Sequence, residues 1–431
     1  MDQKIVRNFQ NLAATDLRLD AVSLVEAGYA AINTESALEH YLHLDGDTLQ
    51  VGETVHELGG RRVFFVGVGK CAISGAHAIE KILGDTLTAG IALDVAAADG
   101  PLAKIETYIG THPLPSETNV HATEKIVELL TSCTKDDLVL MLISGGGSTL
   151  LCLPTGPMTP ADESELFTKL TCEGASIQEV NTVRKHTSLA RGGGLAKSAY
   201  PAEVISLIIS DVPGNDTSFI ASGPTVPDHS TIADARAVLS KYGISEKDTY
   251  IFTETPKEET YFERVTNLLF LTNRTALLAM QSEATKRGYA ATIMQDQITG
   301  EARDIGHAIL ETLHALPSKT VLLYAGETTV TFGKLHRGAG GRNQEMALAA
   351  LAFVHPDELL LPFSSDGRDN SDHAGAIADA VTLEHATAQQ MSPAEYLADH
   401  RSYDFFKTTD DALLVGYTES NVSDLIIAIK K

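Results

Sequence analysis

Apolar positions near the start of the chain follow a helical period. Leu17, Ala21, Leu24 and Val25 recur at i, i+4, i+7 and i+8 without strand-like alternation, so about the first 55 residues are expected to be largely helical and to cover one face of the layers immediately downstream. From residue 62 the pattern changes. Short β-branched runs at 63–68, 91–95, 108–109, 138–143 and 204–209 alternate with amphipathic stretches such as 72–83 and 120–130. That rhythm is what a parallel sheet with crossover helices requires.

Between 246 and 264 the chain turns acidic and polar. This is the expected junction between a domain spanning 1–245 and another spanning 265–431, a solvated excursion within one domain being the other reading. Beyond it, 268–271, 290–294, 320–324 and 359–363 read as strands, and 276–286, 301–313 and 344–354 as helices. The result is a second α/β layer system. No fixed-period repeat or low-complexity tract is present.

Composition narrows the classes. A chain of 431 residues with 43% hydrophobic and 21% charged positions can build real cores, and its longest apolar runs reach only strand length, far below the roughly 18 residues of a membrane span. Thirty-three basic against 57 acidic residues give a net charge of −24, which repels phosphate backbones and anionic lipid. Small-molecule partners are therefore expected, with no nucleic acid and no membrane, and a homo-oligomer is left open. The opening Met1-Asp2-Gln3-Lys4-Ile5 lacks the features of an export signal, and Cys71, Cys133, Cys152 and Cys172 form no metal or disulfide spacing. A reducing cytoplasm is the expected setting.

Against an acidic background, glycine turns and local basic patches are informative. Gly67-Val68-Gly69-Lys70-Cys71-Ala72 follows a strand run and precedes a helix, where backbone N–H groups can approach an anion. With Asp94 ending the next strand it reads as a dinucleotide fingerprint. With Lys70 at the helix start it reads as a phosphate-facing lysine, and a plain strand-to-helix turn is the third option. It is not a Walker A loop, because Phe64 stands where the first glycine belongs and Cys71 replaces the Ser or Thr. Ser144-Gly145-Gly146-Gly147-Ser148, after the apolar run 138–143, offers N–H groups with no Cβ in the way, a cradle for phosphate oxygens or a hinge.

Three further stretches carry charge to strand ends. Segment 183–197 holds Arg184, Lys185, Arg191 and Lys197 with no acid, which suggests an anion or substrate site; His186 receives no role. Ser210-Asp211-Val212-Pro213-Gly214-Asn215-Asp216 places Asp211 at a strand's carboxyl end, suited to a metal or a substrate hydroxyl, while Asp216 suits a turn and Ser222-Gly223-Pro224-Thr225 adds a hydroxyl-lined loop. Later, Gly326-Glu327-Thr328-Thr329 leads through a basic segment with Lys334 and Arg337 to Gly340-Gly341-Arg342-Asn343-Gln344-Glu345. The Arg342 guanidinium can grip a carboxylate or phosphate with two parallel bonds, or pair with Glu327 or Glu345. In Asp366-Gly367-Arg368-Asp369-Asn370-Ser371-Asp372, Asp366 and Asp369 are candidates for a hard cation, or members of an acidic surface turn.

Taken in order, these stretches resemble the MOFRL-type (class II) glycerate kinases. The carriers are Gly-x-Gly-Lys, Ser-Gly-Gly-Gly-Ser, Val-Arg-Lys-His, Ser-Asp-Val-x-Gly-x-Asp, Gly-Glu-Thr-Thr-Val, Gly-Gly-Arg-Asn-Gln-Glu and the terminal Thr418-Glu419-Ser420-Asn421-Val422. The resemblance implies an α/β enzyme of two domains, a larger N-terminal Rossmann-like parallel-sheet domain and a smaller C-terminal α/β domain, with the active site in the cleft between them. It also implies phosphorylation of D-glycerate to 2-phosphoglycerate with ATP and Mg²⁺, and Lys70 and Arg342 as the catalytic pair. Gly67, Gly69 and Ser144 to Ser148 would then bind nucleotide phosphate, Arg184, Lys185, Arg191, Glu327 and Asn343 the substrate, and Asp211, Asp366 and Asp369 the metal. The chain departs from the family at 366–372, where Asp-Gly-x-Asp-Gly-Pro-Thr-Asp is common, and at Gly110-Thr111-His112-Pro113, where Gly-Gly-His-Pro is common. An NAD(P)H-dependent hydroxypyruvate reductase is the alternative enzyme, and a sugar-phosphate-binding regulator the non-enzymatic one.

Overall fold

The computed structural model describes residues 4–97, 100–212, 214–332 and 338–431, so Pro213, Lys334 and Arg337 lie outside the described residues. The chain forms two compact units, Thr34–Phe270 and the N-terminal residues to Asn33 together with Leu271–Lys431.

The first unit opens with helix Thr34–Tyr41 and then departs from the expected helical start. Strands β1 (Leu42–Asp45), β2 (Thr48–Val51) and β3 (Thr54–Glu57) form a small antiparallel sheet. Its two tight turns hold Gly46 and Gly52 at φ +57° and +58°, a conformation glycine adopts without Cβ strain. Next comes a six-stranded sheet of β4 (Val63–Val68), β5 (Leu87–Asp94), β6 (Ile105–Ile109), β7 (Leu138–Ile143), β8 (Glu203–Ile209) and β9 (Val265–Leu271), in the order β6-β5-β4-β7-β8-β9. The β4–β5, β4–β7, β5–β6 and β7–β8 pairs are parallel. Both β4 and β7 are buried along their whole length, which is why they read as unbroken apolar runs. Helix Ala72–Leu83 follows β4 as expected, and helix Glu117–Thr131 leads back to β7.

The acidic stretch 246–264 packs on this first unit. The Thr253 N–H donates to the His186 carbonyl at 2.8 Å, the Thr255 hydroxyl to Asp228 at 3.0 Å, and Lys257 Nζ to the Asp228 carbonyl at 2.8 Å. It is the solvated excursion rather than the junction, because its polar side chains satisfy a buried aspartate. The strand after it, β9, extends the first sheet, and the second unit resumes at Leu271.

The second unit is built on a mixed sheet of β10 (Ala290–Ile298), β11 (Thr320–Gly326), β12 (Glu358–Ser364), β13 (Gly375–Ala376), β14 (Ala378–Asp379), β15 (Ala412–Leu413) and β16 (Asp424–Lys430). Its order is β10-β11-β16-β12-β13-β15, with β14 beside β12; β10 and β11 are parallel and the other pairs antiparallel. Helix Asp16–Ala31 packs against β12, β16 and helix Asn273–Lys286, so the N-terminal helix covers the second unit instead of the sheet nearest to it in sequence. The tie is electrostatic as well as apolar. Arg18, 1% exposed, reaches Asp379 through Nε and Nη2 at 2.7 Å each and Asp411 through Nη1 at 2.8 Å.

Among the described residues no helix is long and apolar enough to cross a membrane. All four cysteines are free thiols, Cys172 exposed and the other three buried.

Candidate active site

In the first unit the chain moves outward from β4 to β6, then returns to β7 on the other side of β4. The order therefore reverses between β4 and β7, and ligands of open α/β sheets gather at the carboxyl ends of strands at such a reversal. Two loops meet there. The Lys70 N–H donates to the Gly145 carbonyl at 3.0 Å, the Cys71 N–H to Ser144 Oγ at 3.2 Å, and the Ser144 N–H to the Val68 carbonyl at 2.9 Å. Gly69, at φ +119°, lies so close that a Cβ would stand 2.2 Å from Ser144 Oγ and 2.6 Å from its carbonyl oxygen.

These contacts correct part of the sequence reading. Gly67 lies inside β4, in register with Ala92 and Leu142, and the Gly69 N–H is taken by the Leu93 carbonyl at 3.1 Å. Both glycines permit close packing and neither presents an N–H to phosphate. Ser144 is fully buried as the joint between the loops. Asp94, which a dinucleotide fingerprint would turn toward a ribose, is buried and accepts from the N–H groups of Ile73 at 3.0 Å and Val95 at 2.6 Å. It anchors the start of helix Ala72–Leu83.

The open part of the cradle is narrower. Gly146, at φ +85°, caps the short helix Gly147–Leu150, and its bare side faces Lys70 Cγ, 3.4 Å from where a Cβ would be, and the His112 ring at 3.6 Å. Among the described residues no protein acceptor takes the N–H of Gly145 or Gly146. Gly147 gives room to Ala221, whose Cβ would lie 2.5 Å from an added Cβ. Ser148 Oγ is 2.9 Å from Ser222 Oγ, which donates to Asn181 Oδ1 at 2.7 Å. Ala221 and Ser222 both hold positive φ, +51° and +58°, a costly pair for non-glycine residues that concentrates at functional sites.

The basic segment divides. The Arg184 guanidinium stacks over Phe167 at 4.5 Å, and Nε is buried with no hydrogen-bond partner. Burial, together with the charge of Arg191, pushes Arg184 down to about 10. His112 is held below the usual imidazole range by burial and by the charges of Lys70 and Arg184, which makes it neutral near pH 7. The other two basic candidates are corrected. Arg191, 1% exposed, gives Nη1 and Nη2 to Glu163 at 3.1 and 2.6 Å. Lys185 is buried against Asp228 at 3.1 Å. Each neutralises a buried carboxylate, so neither is placed to hold substrate. His186 is a core histidine between the Thr253 carbonyl and Ser230. Asp211 stands half-buried just beyond β8, where the sequence put it, and Asp216 accepts the Ser218 N–H at 2.9 Å as a turn former.

In the second unit Arg342 opens helix Arg342–Ala350. Its Nε and Nη2 engage Asp424, the latter at 3.2 Å, and Nη1 pairs with Glu327 Oε1 at 2.8 Å. Asp424 was not among the sequence candidates. It is the first residue of β16, between Gly326 of β11 and Ser364 of β12. A cavity of about 300 Å³ adjoins Arg342, lined in part by Glu327, Thr328, Phe332, Gly340 and His400.

Asp369 proves to be a helix cap instead of a metal ligand. Fully buried, it accepts from the N–H groups of Asn343 at 3.2 Å and Gln344 at 2.8 Å and from both side-chain amides. Burial first, and then the Asp424 charge, push it up to about 7 against those hydrogen bonds. Burial likewise raises Asp424, opposed by Arg342. Gly341 is required here, since a Cβ would lie 2.1 Å from Asp369 Oδ1. Asn343, 1% exposed, serves these carboxylates and is not free to reach substrate. Asp366, half-buried, accepts through Oδ1 from Ser364 Oγ at 2.8 Å and the Arg368 N–H at 3.0 Å.

With Asp369 committed to its helix, Asp211 in the first unit and Asp366 in the second are the remaining metal candidates; Mg²⁺ takes oxygen ligands, usually one or two carboxylates with water and substrate phosphate completing the shell. Three site residues escaped the sequence reading. His112 carried the signal of a polar group just past a strand end, whereas Asp424 and Asn181 enter only through tertiary pairing.

Residues 20–251 match the family described as a domain of unknown function (DUF4147), and residues 320–424 match the MOFRL family. A D-glycerate 2-kinase of Thermotoga maritima is 36% identical over 88% of this chain and 93% of its own. A protein of Agrobacterium vitis whose name proposes a hydroxypyruvate reductase is 38% identical over 84% of this chain and 86% of its own. A crystal structure of glycerate kinase from Thermotoga maritima superposes with a TM-score of 0.86 at 33% identity, covering 96% of this chain and all of that one.

Proposed function

The chain belongs to the MOFRL-type glycerate kinase family, and from that premise we propose that it transfers the γ-phosphoryl group of ATP to the 2-hydroxyl of D-glycerate, giving 2-phosphoglycerate and ADP. The observation that carries the reading is the cluster at the β4–β7 reversal, where Lys70 and neutral His112 face the bare side of Gly146 and the charge of Arg184 reaches His112. Phosphoryl transfer needs positioning and charge neutralisation more than covalent help, and this cluster supplies both.

In this reading the Gly145 and Gly146 N–H groups and Arg184 bind phosphate oxygens, while Lys70 follows charge onto the migrating group. Arg342, oriented by Asp424, meets the reacting anion through Nη1, which exchanges Glu327 for it. Glu327, about half exposed, is free to leave, whereas Asp424 is locked in the sheet. Asp211 or Asp366 would hold Mg²⁺, which when bound neutralises phosphate charge. The reductase reading is weakened by Asp94, whose carboxylate is committed to backbone N–H groups.

The test is a paired assay. ATP, Mg²⁺ and D-glycerate should turn over, and excess EDTA should stop the reaction; NADH with hydroxypyruvate should not turn over. Turnover of the second mixture alone would reverse the assignment.

A further inference from the structure

At the other end of the second unit's sheet, three metal-ligating side chains converge. His314 is the last residue of helix Ala302–His314, His355 lies in the connection after helix Arg342–Ala350, and Glu358 is the first residue of β12. His314 Nε2 stands 3.0 Å and His355 Nδ1 3.5 Å from the same oxygen, Glu358 Oε2, and the three donor atoms lie within 4.8 Å of one another. Around a tetrahedral ion with bonds of about 2.0–2.1 Å, donor atoms sit roughly 3.3–3.4 Å apart, so the observed spacings bracket that value.

A second observation points the same way. Glu358 is fully buried, and its Oε1 and His314 Nε2 are buried without a hydrogen-bond partner, a costly arrangement unless a cation compensates it. Lys430, paired with Glu358 across the strands, approaches Oε1 at 3.4 Å without a hydrogen bond and donates to the His314 carbonyl at 3.1 Å, while Oε2 accepts the His355 N–H at 3.2 Å and keeps its second lone pair for an ion.

We propose that His314, His355 and Glu358 bind one divalent ion of the zinc type, with water in the fourth position. Imidazole with carboxylate suits such borderline-soft ions, whereas Mg²⁺ prefers oxygen alone. The two rings are stacked, with centroids 3.9 Å apart, so His355 must turn to aim its lone pair; at 53% exposed it has room to do so. The ion would pin a helix end to a strand start, and it would take no part in phosphoryl transfer. Glu358 faces Lys430 whereas Ser364, six residues along β12, faces Asp424, a separation of roughly 20 Å.

The experiment uses the EDTA-stripped full chain carrying Cys172→Ser, so that the exposed thiol does not compete, with Mg²⁺ in excess to fill oxygen sites. Titration with Co²⁺ should give one ion per chain with the visible bands of a four-coordinate complex. His355→Ala should weaken binding by at least about tenfold, a loss that even outer-sphere partners commonly produce, without changing thermal unfolding in EDTA. Glu358→Gln should do the same to binding. If Glu358→Gln fails to fold, His355→Ala alone carries the test. No cobalt spectrum, or equal affinity in His355→Ala, would overturn the proposal.

Discussion

Arg342 is held from one side by Asp424 and touched from the other by Glu327. Asp424 takes Nε and Nη2 from within the sheet, whereas the Glu327 carboxylate sits about half exposed on Nη1. The guanidinium therefore has one fixed face and one exchangeable corner. Lysine offers a point charge with no second face for Asp424. Arg342→Lys should lower kcat/KM by at least about tenfold, and Arg342→Ala should lower kcat by about 10³, the lower range for arginines that stabilise a migrating phosphoryl group. Glu327→Gln should change kcat little. Steady-state kinetics with both substrates decide it: wild-type constants in Arg342→Ala would remove this arginine from the reaction.

Lys70 separates backbone from side chain. Its N–H is bound to the Gly145 carbonyl and survives any substitution other than proline, so Lys70→Met should leave circular dichroism and thermal unfolding unchanged. Losing a charge that acts on the transition state costs about 10²–10³ in kcat. A near-normal kcat would contradict the role assigned to it.

Two neighbouring glycines should behave differently. A Cβ at Gly69 would collide with Ser144 in a left-handed conformation, so Gly69→Ala should destabilise the protein by about 3 kcal/mol or more. At Gly146 the nearest atom is a flexible lysine carbon, and the backbone strain alone costs about 1–2 kcal/mol. Gly146→Ala should instead raise KM for ATP severalfold. Thermal unfolding and KM together test the contrast, and equal KM values would reduce the Gly146 loop to a hinge.

Asp369 predicts a pH dependence of stability. Its folded value near 7 exceeds the unfolded 3.8, so between these values the folded chain binds more protons and stability falls as pH rises. The favourable contribution is complete below about pH 4 and lost above about pH 7, at up to about 1.4 kcal/mol per pH unit. In Asp369→Asn, which keeps one acceptor oxygen for the helix N–H groups, that slope should disappear. Denaturant unfolding at pH 5, 6, 7 and 8 measures it, and parallel slopes in both proteins would show that another group titrates.

What the sequence made legible was local. The runs 63–68 and 138–143 became β4 and β7 because a strand buried on both faces must be apolar throughout, and the glycines that end them marked the loops that meet. Pairing was not legible. Val265–Leu271 looks the same whichever sheet it joins, and Asp424 reaches Arg342 only because β16 runs antiparallel between β11 and β12. Charge was informative in sign but not in destination. Of Arg184, Lys185 and Arg191, two neutralise Asp228 and Glu163, acids lying 43 and 28 residues away in sequence. The hairpins of 42–57 did carry a signal, Asp45-Gly46 and Gly52 between alternating apolar residues, which the helical period upstream obscured.

The most direct test of the central claim identifies the product. ³¹P NMR of a reaction with ATP, Mg²⁺ and D-glycerate should show one new phosphomonoester whose phosphorus couples to the single C2 proton, that of 2-phosphoglycerate, and Lys70→Met and Arg342→Ala should each suppress it. A resonance coupled to the two C3 protons, or no phosphorylated glycerate at all, would contradict the account.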